Sequence, residues 1–166
     1  MERILVIGCP GSGKSRLSRI MGQKLEIRVV HLDQLWWKSG WENVSVEEFD
    51  TRLDDVLEEE RWIIDGNFSR TMPLRLRYCD TIVYLDYSRW ECLLGMAQRV
   101  FGNYGKVRPD MADGCPERFD WKFVKYIWNF NKENRIRNST WIAQAKHAKA
   151  IVLKNRREAQ AFLEQL

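Results

Sequence analysis

Two rhythms of apolar and polar residues recur along this 166-residue chain. Short, nearly continuous apolar runs rich in β-branched residues fall at 4–7, 27–31, 62–64, 81–85 and 150–153. Between them, apolar residues return every three or four positions: Leu17, Ile20 and Met21; Val46, Phe49, Leu53, Val56 and Leu57; Trp90, Leu93, Leu94 and Ala97; Phe119, Phe123 and Ile127; Ala159, Phe162, Leu163 and Leu166. Each spaced set forms one stripe on a helix, whereas the continuous runs suit strands buried on both faces. Their alternation predicts an α/β fold, a parallel sheet with helices on both sides. Ser45 with Glu48, and Ser88 with Glu91, have the spacing of a capping box and predict two helix starts. Residues 102–116 (GNYGKVRPDMADGCP) break the rhythm with three glycines and two prolines. A connection of that length in a tight fold reads as a lid.

Length and composition narrow the class. The chain suits a single domain, 1–166, and no apolar run approaches the roughly 20 residues that span a bilayer. The N-terminal apolar run is too short for a signal peptide, so a cytoplasmic location is expected. Cys9, Cys79, Cys92 and Cys115 are scattered without metal-ligand spacing and read as reduced packing groups. The formal charge of +4 is unevenly spread: residues 1–97 carry 13 Lys/Arg against 16 Asp/Glu, residues 98–157 carry 14 against 5. A basic block of this kind suits nucleic acid, an anionic surface or the phosphates of a nucleotide.

The chemistry begins at the end of the first run. Gly8, four residues, then Gly13, Lys14 and Ser15 satisfy the phosphate-loop pattern GxxxxGK[ST], placed between a strand and a helix as that motif requires. Backbone N–H groups of Gly8, Pro10-Gly11-Ser12-Gly13 and the helix start can turn around phosphates, apart from Pro10, which has none. Lys14 would reach the outer phosphates and Ser15 would offer its hydroxyl to Mg²⁺. Arg16 and Arg156 complete the expected nucleotide-binding set.

Two further strand ends carry acids. Asp33 follows the second run, at the sheet edge where ligands of open parallel sheets bind, and could orient Mg²⁺ or accept a hydroxyl proton. Asp65 ends the third run and is the second carboxylate expected on the metal side. His31 reads as a satisfied core histidine. Neighbouring Trp36 and Trp37 cannot both face one side of an element, so one of them is expected to line a cleft. Arg70, Arg75 and Arg77 offer forked donors for an acceptor phosphate or carboxylate, although a solvated helix face suits Arg75 and Arg77 equally. From the basic block, Arg99 and Arg108 are expected at the migrating phosphoryl group, and Lys106, Arg118, Arg135 and Arg137 are further cations. The expected catalytic set is therefore Lys14, Asp33, Arg99 and Arg108. The acceptor set is Asp33, Trp36, Trp37, Asp65, Gly66, Asn67, Arg70 and Arg135, within an acceptor region of about 33–77; the lid spans about 102–118.

The segments GCPGSGKS, HLDQLWWKSGW, WIIDGNFSRT, DTIVYLDYSRW and RPDMADGCPERFD resemble the adenylate-kinase-like P-loop kinases and, within them, the narrower family of DNA topology modulation proteins. The resemblance covers most of the chain. It implies a three-layer P-loop NTPase fold with five parallel strands in the order 2-3-1-4-5, ATP on the loop and a mobile lid. One turn departs from the pattern: nucleoside monophosphate kinases usually carry DGFPR after the third strand, and this chain has DGNFSR. Asp33 with Trp36 and Trp37 looks more like the acceptor side of small-molecule kinases such as those for shikimate or gluconate. The expected activity is thus Mg²⁺- and ATP-dependent phosphorylation of a small metabolite or nucleotide. The alternative is a nucleotide-dependent, DNA-associated regulator with little catalysis, although no nucleic-acid-binding motif is present.

Overall fold

The computed structural model describes the backbone of residues 1–166 and every side chain except that of Glu133. Five strands, β1 (Arg3–Gly8), β2 (Val29–His31), β3 (Trp62–Asp65), β4 (Thr81–Leu85) and β5 (Lys149–Leu153), form one parallel sheet in the order β2-β3-β1-β4-β5. A short antiparallel hairpin, Trp37–Lys38 with Glu42–Asn43, stands apart from it. Seven α-helices connect these parts: α1 (Lys14–Leu25), α2 (Leu32–Trp36), α3 (Val46–Glu58), α4 (Met72–Tyr78), α5 (Arg89–Asn103), α6 (Trp121–Gln144) and α7 (Arg156–Glu164). None of the described helices is long and apolar enough to cross a membrane.

Alternation along the strands divides the core in two. Ile4, Val6, Ile63, Val83 and Leu85 pack with apolar residues of α1, α5, α6 and α7, while Leu5, Ile7, Ile64, Ile82 and Tyr84 face those of α3 and α4. The central strands are buried on both sides, so their sequences read as unbroken apolar runs. Leu53 is fully buried, and its truncation to Ala would cost about 2–5 kcal/mol.

Both predicted caps form. Ser88 and Glu91 make the reciprocal box. At Ser45 only half of it is present: Ser45 Oγ accepts from Glu48 N at 3.1 Å, while the Glu48 carboxylate turns to Lys38 and Arg52.

Two helical faces differ from expectation. On α5 the buried stripe is Cys92, Met96 and Val100, whereas Trp90 and Leu94 are 66% and 56% exposed. The helix is rotated because it approaches the phosphate loop closely: a Cβ on Gly95 would lie 2.0 Å from Gly11 O. Such an approach selects small residues over the largest apolar ones. Phe119 is exposed and precedes α6, which begins at Trp121 with Asp120 Oδ1 accepting from Lys122 N at 2.8 Å.

Parallel register aligns three chemical groups at the C-terminal edge. Asp65 pairs with His31 on one side and with Val6, two residues before Gly8, on the other. The connection 104–120 between α5 and α6 is tied by bridges from Tyr104 to Glu117 and Val107 to Pro116.

Candidate active site

The loop after β1 is shaped by what its backbone must approach. Gly11, at φ +83°, would place a Cβ 2.1 Å from Cys92 O, and Gly13, at φ +92°, caps α1 with open space where a Cβ would point. Gly11 is held to glycine by conformation and clearance together, Gly13 by its positive φ alone. Asn67 clamps the strand end from the β3 side, its Oδ1 accepting from Gly8 N at 3.1 Å and its Nδ2 donating to Gly8 O at 2.9 Å. Lys14 folds back to donate to Cys9 O at 3.1 Å. Ser12 Oγ is buried with no hydrogen-bond partner among the described residues.

A cavity of about 1100 Å³ opens over this loop. Pro10, Gly11, Ser12, Gly13, Lys14, Ser15, Arg16 and Arg156 line it together with Asp33, Trp37, Asp65, Gly66, Asn67, Arg99 and Arg108. Four other residues of the expected sets lie elsewhere. Gly8 sits behind the loop under Asn67. Trp36 turns into the core, its ring centroid 5.4 Å from that of Phe49 and 6.0 Å from that of Phe68. Arg70 is drawn to Asp50, with one bond of 2.9 Å, and Arg135 to Asp86 at 2.7 Å, which Lys154 shares at 2.6 Å. Each arginine found a carboxylate that no local spacing announces.

Arg75 is neither an acceptor donor nor a solvated residue. It is fully buried and donates to the carbonyls of Gly66, Asn67 and Phe68 and to Thr71 Oγ1. Burial without a facing carboxylate pushes its guanidinium down to about 9. The side chain acts as an internal staple for the DGNFSR turn, where Phe68 adopts φ +31°. Arg77 is exposed.

The acids have unequal surroundings. Asp65 Oδ2 meets His31 Nδ1 at 2.8 Å, while Asp65 Oδ1 is buried without a partner among the described residues. Asp33 lies in the first turn of α2, whose N-cap is His31. Burial, then the nearby Asp65 charge, push the Asp33 carboxyl above the ordinary carboxylate range; Lys14 and Arg108 oppose the shift. An orphaned carboxylate oxygen beside a hydroxyl-bearing phosphate loop fits a hard cation such as Mg²⁺, which takes oxygen ligands and retains water. No cluster of three His, Cys, Asp or Glu forms a metal cage among the described residues.

The 104–120 connection contributes two acids outside the expected sets. Glu117 Oε2 lies 2.7 Å from Arg108 Nε and 3.1 Å from Arg99 Nε, and Asp110 Oδ2 receives Arg108 Nη1 at 2.7 Å. Burial pushes the Asp110 carboxyl up, but Arg108 and the neighbouring Ser15 hydroxyl outweigh burial and bring it below the usual range. Burial and then Arg108 pull the Arg99 guanidinium down. The RPDMADGCPER stretch therefore carries its own counterions. It is docked across the acid-lined end of the cavity by Gln34 Nε2 to Pro109 O at 2.7 Å, Gly40 N to Gly114 O at 3.0 Å and Cys115 Sγ to Lys38 O at 3.1 Å.

No family model and no curated protein matches the chain. Solved structures do. Shikimate kinase from Bacteroides thetaiotaomicron is 17% identical, with 99% of this chain and 95% of that one covered and a TM-score of 0.58. Shikimate kinase from Acinetobacter baumannii, solved in complex with shikimate, is 14% identical over 99% and 90% of the two chains, with a TM-score of 0.60. A gluconokinase from Sinorhizobium meliloti 1021 is 13% identical over 99% and 92%, with a TM-score of 0.57. At these identities the likeness is one of architecture: the chain has the α/β fold of the P-loop kinases.

Proposed function

We propose that this protein is an ATP- and Mg²⁺-dependent kinase that phosphorylates a hydroxyl of a small metabolite. The observation that carries this reading is the sharing of one cavity by the phosphate loop, Asp33 and Asp65 at the C-terminal edge of the sheet. Shikimate kinases and a gluconokinase among the structural neighbours support the same class of acceptor.

In the proposed reaction, loop N–H groups and Lys14 bind the triphosphate, and Lys14 leaves Cys9 O to do so. Ser15 and Asp65 would hold Mg²⁺, which when bound neutralises charge on the phosphates, leaving Asp33 for the acceptor. Asp33 accepts the proton of the acceptor hydroxyl, whose oxygen bonds to the γ-phosphorus as the bond to the β-phosphate oxygen breaks, releasing ADP. Its raised proton affinity suits that role. Arg99 and Arg108 face the charge spread over the migrating phosphoryl oxygens. Residues of about 33–77 form the acceptor region and about 102–118 the lid, which excludes water.

Acceptor-dependent ADP formation by the purified chain tests the assignment. It must be lost in Lys14→Ala. The DNA-associated reading, which the narrower family resemblance suggested, draws less support from the geometry. Arg135 and Lys154, which contribute to the basic block, are both committed to Asp86. Gel shift at low salt, where backbone contacts are strongest, separates it from the kinase reading.

A further inference from the structure

The acceptor end of the cavity contains a group of side chains that the reaction above does not use. Trp37 and Trp41 line it with their rings edge to face, centroids 5.5 Å apart. Arg118 lies over the Trp41 ring, its guanidinium carbon 4.9 Å from the centroid. Trp41 adopts φ +65°, a conformation that a bulky L-residue rarely enters. Its Nε1 is buried and has no acceptor among the described residues. Such local strain and an unmet donor coincide at functional sites more often than elsewhere.

The charges around Arg118 sharpen the point. Glu117 is engaged by Arg99 and Arg108, and Asp120 accepts the backbone N–H of Lys122. Arg118 therefore has no carboxylate partner among the described residues. Two donors, one a guanidinium and one an indole N–H, stand beside an aromatic wall with no internal acceptor for either. An oxyanion is the chemical group that satisfies both.

We propose that Trp37, Trp41 and Arg118 form a subsite for the anionic group of the phosphoryl acceptor. The acceptor is then a small molecule with a hydroxyl at Asp33 and a carboxylate or phosphate at Arg118, its body against the two tryptophans. This assignment rests on the kinase reading for the identity of the ligand as an acceptor. Neutral polyols fall outside the class, because their hydroxyl oxygens can accept from the guanidinium and the indole N–H but bring no charge to strengthen those bonds.

Isothermal titration of the ADP-loaded full chain with shikimate, gluconate, AMP and sorbitol tests the subsite. At least one of the three anions should bind about tenfold or more tightly than sorbitol. Shikimate or gluconate binding identifies a carboxylate, AMP binding a phosphate. Arg118→Gln should weaken that anion by about tenfold while ADP affinity stays the same, and Arg118→Lys should restore part of the loss. Trp41→Phe, which keeps the ring and removes the N–H, should weaken it about fivefold. Sorbitol binding as tightly as every anion, no anion binding at millimolar concentration, or an anion affinity indifferent to Arg118→Gln would each overturn the proposal. Failure of the kinase reading looks different: the anion binds with the expected Arg118 dependence, yet ATP yields no ADP in its presence.

Discussion

The two ends of the sheet treat their acidic residues in opposite ways. At the N-terminal end, Asp80 precedes β4, and its Oδ2 accepts from Glu2 N at 2.7 Å and Arg3 N at 3.1 Å while Thr81 Oγ1 donates to Oδ1 at 2.6 Å. Partial burial pushes this carboxyl up, but those donors outweigh it and hold it below the usual range. Asp80 N and O also bond to Arg3 O and Lys149 N, joining the starts of three strands. At the C-terminal end, burial and Asp65 raise Asp33, and Asp65 Oδ1, Ser12 Oγ and Trp41 Nε1 lack partners among the described residues. One edge is built for stability; the other keeps its hydrogen-bonding capacity for a ligand at some expense in stability. The separation has exceptions: Trp62 Nε1, in the core near the stable edge, and Ser18 Oγ, on α1, are also buried without a partner among the described residues.

Substitutions at the two ends should therefore fail in different ways. Lys14→Ala should lower ATP turnover by about 10²–10³-fold with little change in urea stability, because the side chain makes a single internal bond to Cys9 O. A large loss of stability with intact turnover would break the contrast.

Asp33→Asn should lower turnover by about 10²-fold, read from kcat, yet stabilise the magnesium-free protein at neutral pH. Since the folded state raises the proton affinity of Asp33, the stability its neutral form contributes is fully present below the unfolded value. It is lost as pH rises through the folded one. The advantage of the variant in urea melts should thus be absent in acid and grow towards neutrality.

Arg75→Met should cost about 2–3 kcal/mol in urea melts, since three turn carbonyls lose their donor at a fully buried position. It belongs to the stable class although it lies beside the cavity. An acceptor KM shift with unchanged stability would instead make it a binding residue.

Asp80→Asn has the smallest expected effect, a loss of about 1 kcal/mol at pH 7 after allowing for its solvent exposure, with turnover unchanged. The sign of its pH dependence is opposite to that of Asp33. A depressed carboxylate contributes stability above its unfolded value and loses it as pH falls through the folded one, so wild type and variant should converge in acid.

What was legible in the sequence follows from how local each feature is. Apolar runs and the phosphate-loop spacing are local, and the strands, the sheet and the loop-to-helix transition follow from them. The phase of α5 is not local, because it is set by Gly95 meeting a loop about 80 residues earlier. Ion-pair partners are still less so: Arg70 finds Asp50, and Arg135 finds Asp86 across the fold. Asp110 and Glu117 lie in the stretch RPDMADGCPERFD, which has two Arg against four Asp/Glu, and no spacing marks these two acids as the partners of Arg99 and Arg108. Trp41 carried no spacing signal, and its strain and unmet N–H become visible only with the backbone in place.

Acceptor-stimulated ADP formation from ATP and Mg²⁺, measured side by side for wild type and Lys14→Ala over a panel of hydroxy acids, phosphate monoesters and polyols, tests the central claim most directly. The account predicts ADP formation by wild type that rises with one acceptor and vanishes in the variant. Turnover equal in the two proteins, or no acceptor-dependent ADP across the panel, would contradict it.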